Sequence, residues 1–185
     1  MKSPFFFLIK PAGEEYNNSI EIAGQKIIIN STVENHKAVN RFAEVIQVPI
    51  HYKGDIKPGD TIIVHHNVFR IYYDMKGRPR KSPNFFQEGI YFIDPFQFYM
   101  YHNGTQWNSV DDWCFVRPIT KEKSYLYDEG FEENTGQMVY SNKLLTKRGV
   151  KNGDLIKFSK NSEYEFGVNG EVLYRMNTKD IIALV

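Results

Sequence analysis

Cysteine is almost missing: Cys114 is the only one in 185 residues. A single thiol excludes an internal disulfide framework and a zinc site built from cysteines, and it fits a reducing compartment. Net charge is scarce as well. The 23 Lys and Arg against 22 Asp and Glu leave +1, so no bulk field draws the chain toward nucleic acid or anionic lipid. No apolar run approaches the roughly 20 residues of a membrane-spanning helix. The opening block FFFLI falls short of the ~7 residues a signal peptide's apolar region needs. No segment of useful length repeats its apolar residues at a helical period. A Gly-rich phosphate loop, a Gly-x-Ser-x-Gly elbow and a Cys–His pairing are all absent from the sequence. The expectation is a cytoplasmic protein without a cofactor, a metal, a catalytic role or a membrane partner.

Aromatics are abundant: 14 Phe and 12 Tyr help raise the aromatic fraction to 15%. Together with many Val and Ile they favour strands. Short apolar runs alternate with turn signals throughout: PFFFLI, IEI, KIIIN, RFAEVIQV, DTIIVHH, VFRIYY, GIYFI, FQFYMY, WCFVRP, QMVYS, DLIKFS, YEFGV, EVLYRM and DIIALV. Many short strands at close spacing predict an all-β barrel or sandwich. The last run carries apolar residues to Val185, which a final strand held in a sheet would explain.

The chain also repeats itself. FLIKP (from Phe7) matches CFVRP (from Cys114), IKPGDTIIV (from Ile56) matches VKNGDLIKF (from Val150), and IYFIDPFQFYMY (from Ile90) matches VLYRMNTKDIIALV (from Val172). The three matches come in the same order. The offset is larger for the first pair, so the first half carries a longer internal loop, between Pro11 and Arg41. The halves divide as residues 1–104 and 105–185, with HNGTQ (from His102) as the linker. The shared Lys-x-Gly-Asp element has a mechanical basis. Gly permits a turn with positive φ, and Asp hydrogen-bonds nearby backbone amides.

The end NGEVLYRMNTKDIIALV resembles the carboxyl end of GroES-type co-chaperonins, where a Glu-Val-Leu strand leads through a polar turn to Asp-Ile-Leu-Ala. VKNGDLIKF is similar to the family's Val-Lys-x-Gly-Asp-x-Val-x-Phe. RFAEVIQV and TGQMVYS stand where it has an Arg/Lys-Gly-x-Val strand, and FFFLIKP and WCFVRP where its first strand lies. The resemblance covers both halves and implies two tandem GroES-like β-barrels. It implies a protein that caps a chaperonin ring and assists the folding of an unfolded client. It also implies assembly into a homo-oligomeric ring, seven-fold in the family, by head-to-tail contacts that close on themselves. The family docks through an apolar tripeptide in a mobile loop, after a Gly-Gly pair. The corresponding segment here is residues 12–40. Within it Gly24 matches one glycine, and Ile27, Ile28 and Ile29 match the tripeptide; Gln25 and Lys26 depart from the pattern. Ile20 and Ile22, in SIEI, form a second candidate. Three isoleucines in a polar loop make a poor surface unless something covers them; the alternative is that KIIIN is an ordinary buried strand. The equivalent second-half loop, residues 119–135, is shorter and has no such tripeptide. The spans where the family carries a roof hairpin, PIHYKGDIKP and NKLLTKRGVKN, look too short for one. A tandem chain with a trimmed roof suggests a viral or otherwise specialised member, working in its host's cytoplasm if viral.

Other constellations are weaker. KGRPRK (from Lys76) resembles an AT-hook core that could lie in a minor groove, but one basic cluster in a near-neutral chain fits a solvated insertion better, standing where the second half has only Asn169-Gly170. His65 and His66 would point to opposite faces of a strand, and His36, His51 and His102 are scattered. Glu14-Glu15 and Asp111-Asp112 read as solvated turns rather than acid–base pairs, and Cys114 as a small core residue. Two other functional classes remain: an assembly module that keeps the fold without binding a chaperonin, and a small-barrel nucleic-acid binder, against which the charge argues.

Overall fold

The structure, a computed structural model, describes residues 2–16, 19–22, 25–28, 39–120, 131–168 and 170–185. Among these residues it is all-β apart from short 3-10 turns and one short helix. The chain divides into two compact units, Met1–Gln106 and Trp107–Val185.

The first unit contains β1 (Phe7–Pro11), β2 (Ser19–Ile22), β3 (Gln25–Ile28), β4 (Phe42–Gln47), β5 (Thr61–Val64), β6 (Tyr72–Tyr73), β7 (Pro79–Arg80), β8 (Phe85–Gln87), β9 (Ile90–Ile93) and β10 (Phe98–His102). The second contains β11 (Trp107–Ser109), β12 (Trp113–Thr120), β13 (Phe131–Tyr140), helix α1 (Lys143–Lys147), β14 (Leu155–Phe158), β15 (Tyr164–Val168), β16 (Glu171–Asn177) and β17 (Ile181–Leu184).

Six strands of the first unit hydrogen-bond in the order β10-β5-β4-β1-β9-β8, and six of the second in the order β17-β14-β13-β12-β16-β15. Every neighbouring pair is antiparallel. The two orders correspond strand for strand, so the sequence repeat is a repeat of topology. The Gly-Asp turns show why. Gly59 (φ 94) and Gly153 (φ 96) both occupy the left-handed region. Asp60 Oδ2 accepts from Lys57 N–H at 2.8 Å, and Asp154 Oδ2 from Lys151 N–H at 2.7 Å. The Asp carbonyls then accept from Val45 N–H and Met138 N–H, which stitches the turn to β4 in one unit and β13 in the other. Matching 3-10 turns with capping boxes, Pro95–Gln97 behind Asp94 and Thr178–Asp180 behind Asn177, lead into β10 and β17.

Each unit has its own core. In the first, Phe7 packs edge-on against Phe98, and Tyr91 against Phe69 and Phe85. In the second, Cys114, Val116, Met138, Ile156, Phe158 and Met176 form one buried cluster.

Several local expectations are corrected. VFRIYY is extended only at Tyr72–Tyr73, because Val68 sits in a 3-10 turn. DTIIVHH ends as a strand at Val64: His65 caps that turn through Nδ1, and its ring lies 4.2 Å from that of His66 rather than on the opposite face of a strand. The second-half loop is shorter than expected, since β12 runs to Thr120 and β13 begins at Phe131. NKLLTKRGVKN holds α1, capped by Asn142, whose Oδ1 accepts from Leu145 N–H. Gly170, which precedes β16, corresponds to Gly89, which precedes β9. The basic insertion corresponds instead to residues 159–163, between β14 and β15. Short apolar strands flank both connections, so the sequence alone does not show which of them has lengthened.

Candidate docking site

The long loop of the first unit leaves the sheet at a built root. β1 and β4 pair as far as Pro11 and Ala43. Beyond them the ladder gives way to a buried polar side chain, Asn40, 3% exposed. Its Nδ2 donates to Ala12 O (3.2 Å) and Glu14 O (2.8 Å), and its Oδ1 accepts from Phe42 N–H (2.9 Å). The Asn40 N–H donates to Glu15 O at 2.9 Å, and Tyr16 bridges Val39, which is buried. One amide side chain thereby satisfies three backbone groups that the end of the ladder leaves open, as buried polar groups require. Residues 12–16 and 39–40, expected as part of the loop, belong to its root.

Beyond the root, β2 and β3 pair with each other in a two-stranded antiparallel sheet separate from the unit's main sheet. The register is Ser19↔Ile28, Ile20↔Ile27, Glu21↔Lys26 and Ile22↔Gln25. Directly opposed positions share a face, and positions alternate along each strand. Positions 20, 22, 25 and 27 thus form one face of the ribbon, and 19, 21, 26 and 28 the other. The two sequence candidates, Ile20 with Ile22 and Ile27 with its neighbours, are cross-strand partners in one hairpin. The pattern places Ile20, Ile22 and Ile27 on one face, and Ser19, Glu21 and Lys26 on the other with Ile28. Gly24 and Ile29 lie outside the described residues.

A second apolar surface lies at the sheet edge of the other unit. Among the described strands β17 pairs with β14 alone, and Ile182 (68%), Leu184 (50%) and Val185 (72%) are exposed beside exposed Leu155. The matching strand β10 has Phe98, Tyr99 and Met100 buried.

Among the described residues no three His, Cys, Asp or Glu side chains converge as a metal site, and no helix is long and apolar enough to cross a membrane. Cys114 is buried, its Sγ donating to Met176 O at 3.6 Å. Desolvation, with Asp180 nearby, pushes its thiol up to about 12, the opposite of an activated nucleophile. Asp112 accepts through its carbonyl from Thr178 N–H and Oγ1. Glu15, read from sequence as part of a solvated doublet, instead accepts from the Tyr91 hydroxyl at 2.6 Å. Burial and that bond push the tyrosine well above its ordinary range. Neither Glu15 nor Asn40 carried a sequence signal, since their partners stand up to 76 residues away. Comparison with known protein families and with curated proteins finds no match.

Proposed function

We propose that the chain is a co-chaperonin-like protein that docks on a chaperonin ring through the β2–β3 hairpin. In this reading the two units are tandem GroES-like β-barrels, and several copies form a ring. The observation that carries it is the asymmetry between two units of equal strand order. Among the described residues, a rooted loop bearing an isoleucine-rich ribbon occurs in the first unit, whose main sheet forms without that ribbon. The GroES-like motifs at both Gly-Asp turns and at the carboxyl end support it. A small apolar face suits docking that must be released, because each arm binds weakly and several arms add through effective concentration.

A second reading, an assembly module without chaperonin binding, is favoured by the exposed apolar edge at β17. Edge strands of this kind template pairing with another chain, which would also serve ring formation in the first reading. The test is native mass, measured alone and with a GroEL-type chaperonin plus ATP. A ring-sized oligomer that joins the chaperonin supports the first reading. A ring that never joins it leaves the second, and a monomer in both conditions removes both.

A further inference from the structure

The connection between β5 and β8 in the first unit spans residues 65–84, against 159–163 in the second. Its extra length includes the basic stretch 76–81, which no docking or packing role has absorbed. We propose that this insertion is a brace that holds the loop root in one orientation, with Glu15 as the positioning residue at the junction.

Both arms of the insertion meet the root. At one, Ile71 N–H donates to the Tyr16 hydroxyl at 2.6 Å, and Tyr16 is the residue that bridges Val39. At the other, Lys81 Nζ lies 2.5 and 2.8 Å from the two Glu15 carboxylate oxygens, and 5.8 Å from the Phe85 ring centroid. The same carboxylate accepts from Tyr91, which is fully buried on β9. Glu15 therefore ties three parts together: core strand, insertion and root. Its backbone carbonyl takes the Asn40 N–H as well.

The brace is itself closed. Tyr72 pairs with Arg80 and Tyr73 with Pro79. Asp74 Oδ1 accepts from Lys76 N–H (2.9 Å) and Arg78 N–H (3.0 Å), and Oδ2 from Arg80 Nε (3.1 Å). Those bonds, the Arg78 amide foremost, hold the Asp74 carboxyl below its usual range. Ser82 Oγ donates to Val68 O at 2.5 Å and pins the far end. A closed ribbon fixed at both ends limits where the loop root can move, as a free connector would not.

The consequence for docking rests on the function proposed above. An arm leaving from a fixed root loses less freedom on binding, and equal roots around a ring aim equal arms. The brace itself is testable without any chaperonin, by hydrogen exchange of the Asn40 and Phe42 amides in the full chain. Lys81→Met should speed both roughly two- to five-fold, the range of an exposed ion pair. Glu15→Ala should speed them about tenfold or more, because the buried Tyr91 hydroxyl also loses its acceptor. Lys81→Arg should restore wild-type rates. Glu15→Gln keeps an acceptor for Tyr91 but not the charge, and should behave like Lys81→Met, which covers the case that Glu15→Ala fails to fold. Unchanged exchange in Glu15→Gln and Lys81→Met overturns the brace. So does an equal acceleration throughout β1, β4 and β9, which signals general destabilisation. A brace that passes while the chain ignores a chaperonin removes only the functional reading.

Discussion

Replacing Ile27 by Asp separates docking from folding. The β2–β3 ribbon forms a sheet of its own, apart from both large sheets, so the first unit should melt as wild type. Register puts position 27 opposite position 20 on the face that also holds Ile22. An isoleucine entering an apolar groove contributes about 1.5–3 kcal/mol, and an aspartate there adds a desolvation cost. Taking 2.8 kcal/mol as a rough middle value with that cost included, each arm weakens about 100-fold. The loss recurs at every arm of a ring, so co-elution with a chaperonin and ATP should vanish. Ile28 stands opposite Ser19 on the other face. Ile28→Asp should therefore weaken docking about fivefold or less, although a linear Ile27-Ile28-Ile29 tripeptide would make position 28 its centre. Ile20→Asp should match Ile27→Asp. The reasoning is refuted by wild-type co-elution of Ile27→Asp, or by an equal loss in Ile28→Asp. A drop of several degrees in the melt of Ile27→Asp would return the segment to the core-strand alternative.

Three further outcomes follow from the second unit. In Gly136→Ala a Cβ would stand 2.3 Å from Val116 Cγ1 and 2.9 Å from the Arg117 carbonyl oxygen, so denaturant unfolding should show a loss of about 1–3 kcal/mol; Ala43 fills the matching position of the first unit. Cys114 should resist alkylation at pH 8 in the folded chain and react on unfolding. Because its folded thiol is raised to about 12, the stability it contributes is fully present below the free-thiol value near ~8.5. That stability is lost as pH rises through 12, a decline that Cys114→Ala should reduce in pH-dependent melts. Leu184→Lys on the exposed edge strand should lower native mass without lowering the melting temperature, whereas an unchanged oligomer would exclude that edge from assembly.

The sequence by itself determined the β class and the repeated Gly-Asp turns. Each rests on local chemistry that a short window carries: β-branched and aromatic runs, and the Gly59-Asp60 and Gly153-Asp154 turns, whose bonds close within a few residues. It also singled out the isoleucine triplet at 27–29 and the pair Ile20 and Ile22 of the long loop. It could not join them, because whether positions 20 and 27 oppose each other depends on strand register. The insertion was matched to the wrong turn for a similar reason: similarity of neighbouring strands does not reveal which connection has lengthened. The roles of Asn40 and Glu15 stayed invisible. An asparagine that replaces a ladder, or a glutamate that meets a buried tyrosine and a lysine far along the chain, acquires its role only when the folded backbone brings those partners within hydrogen-bond distance.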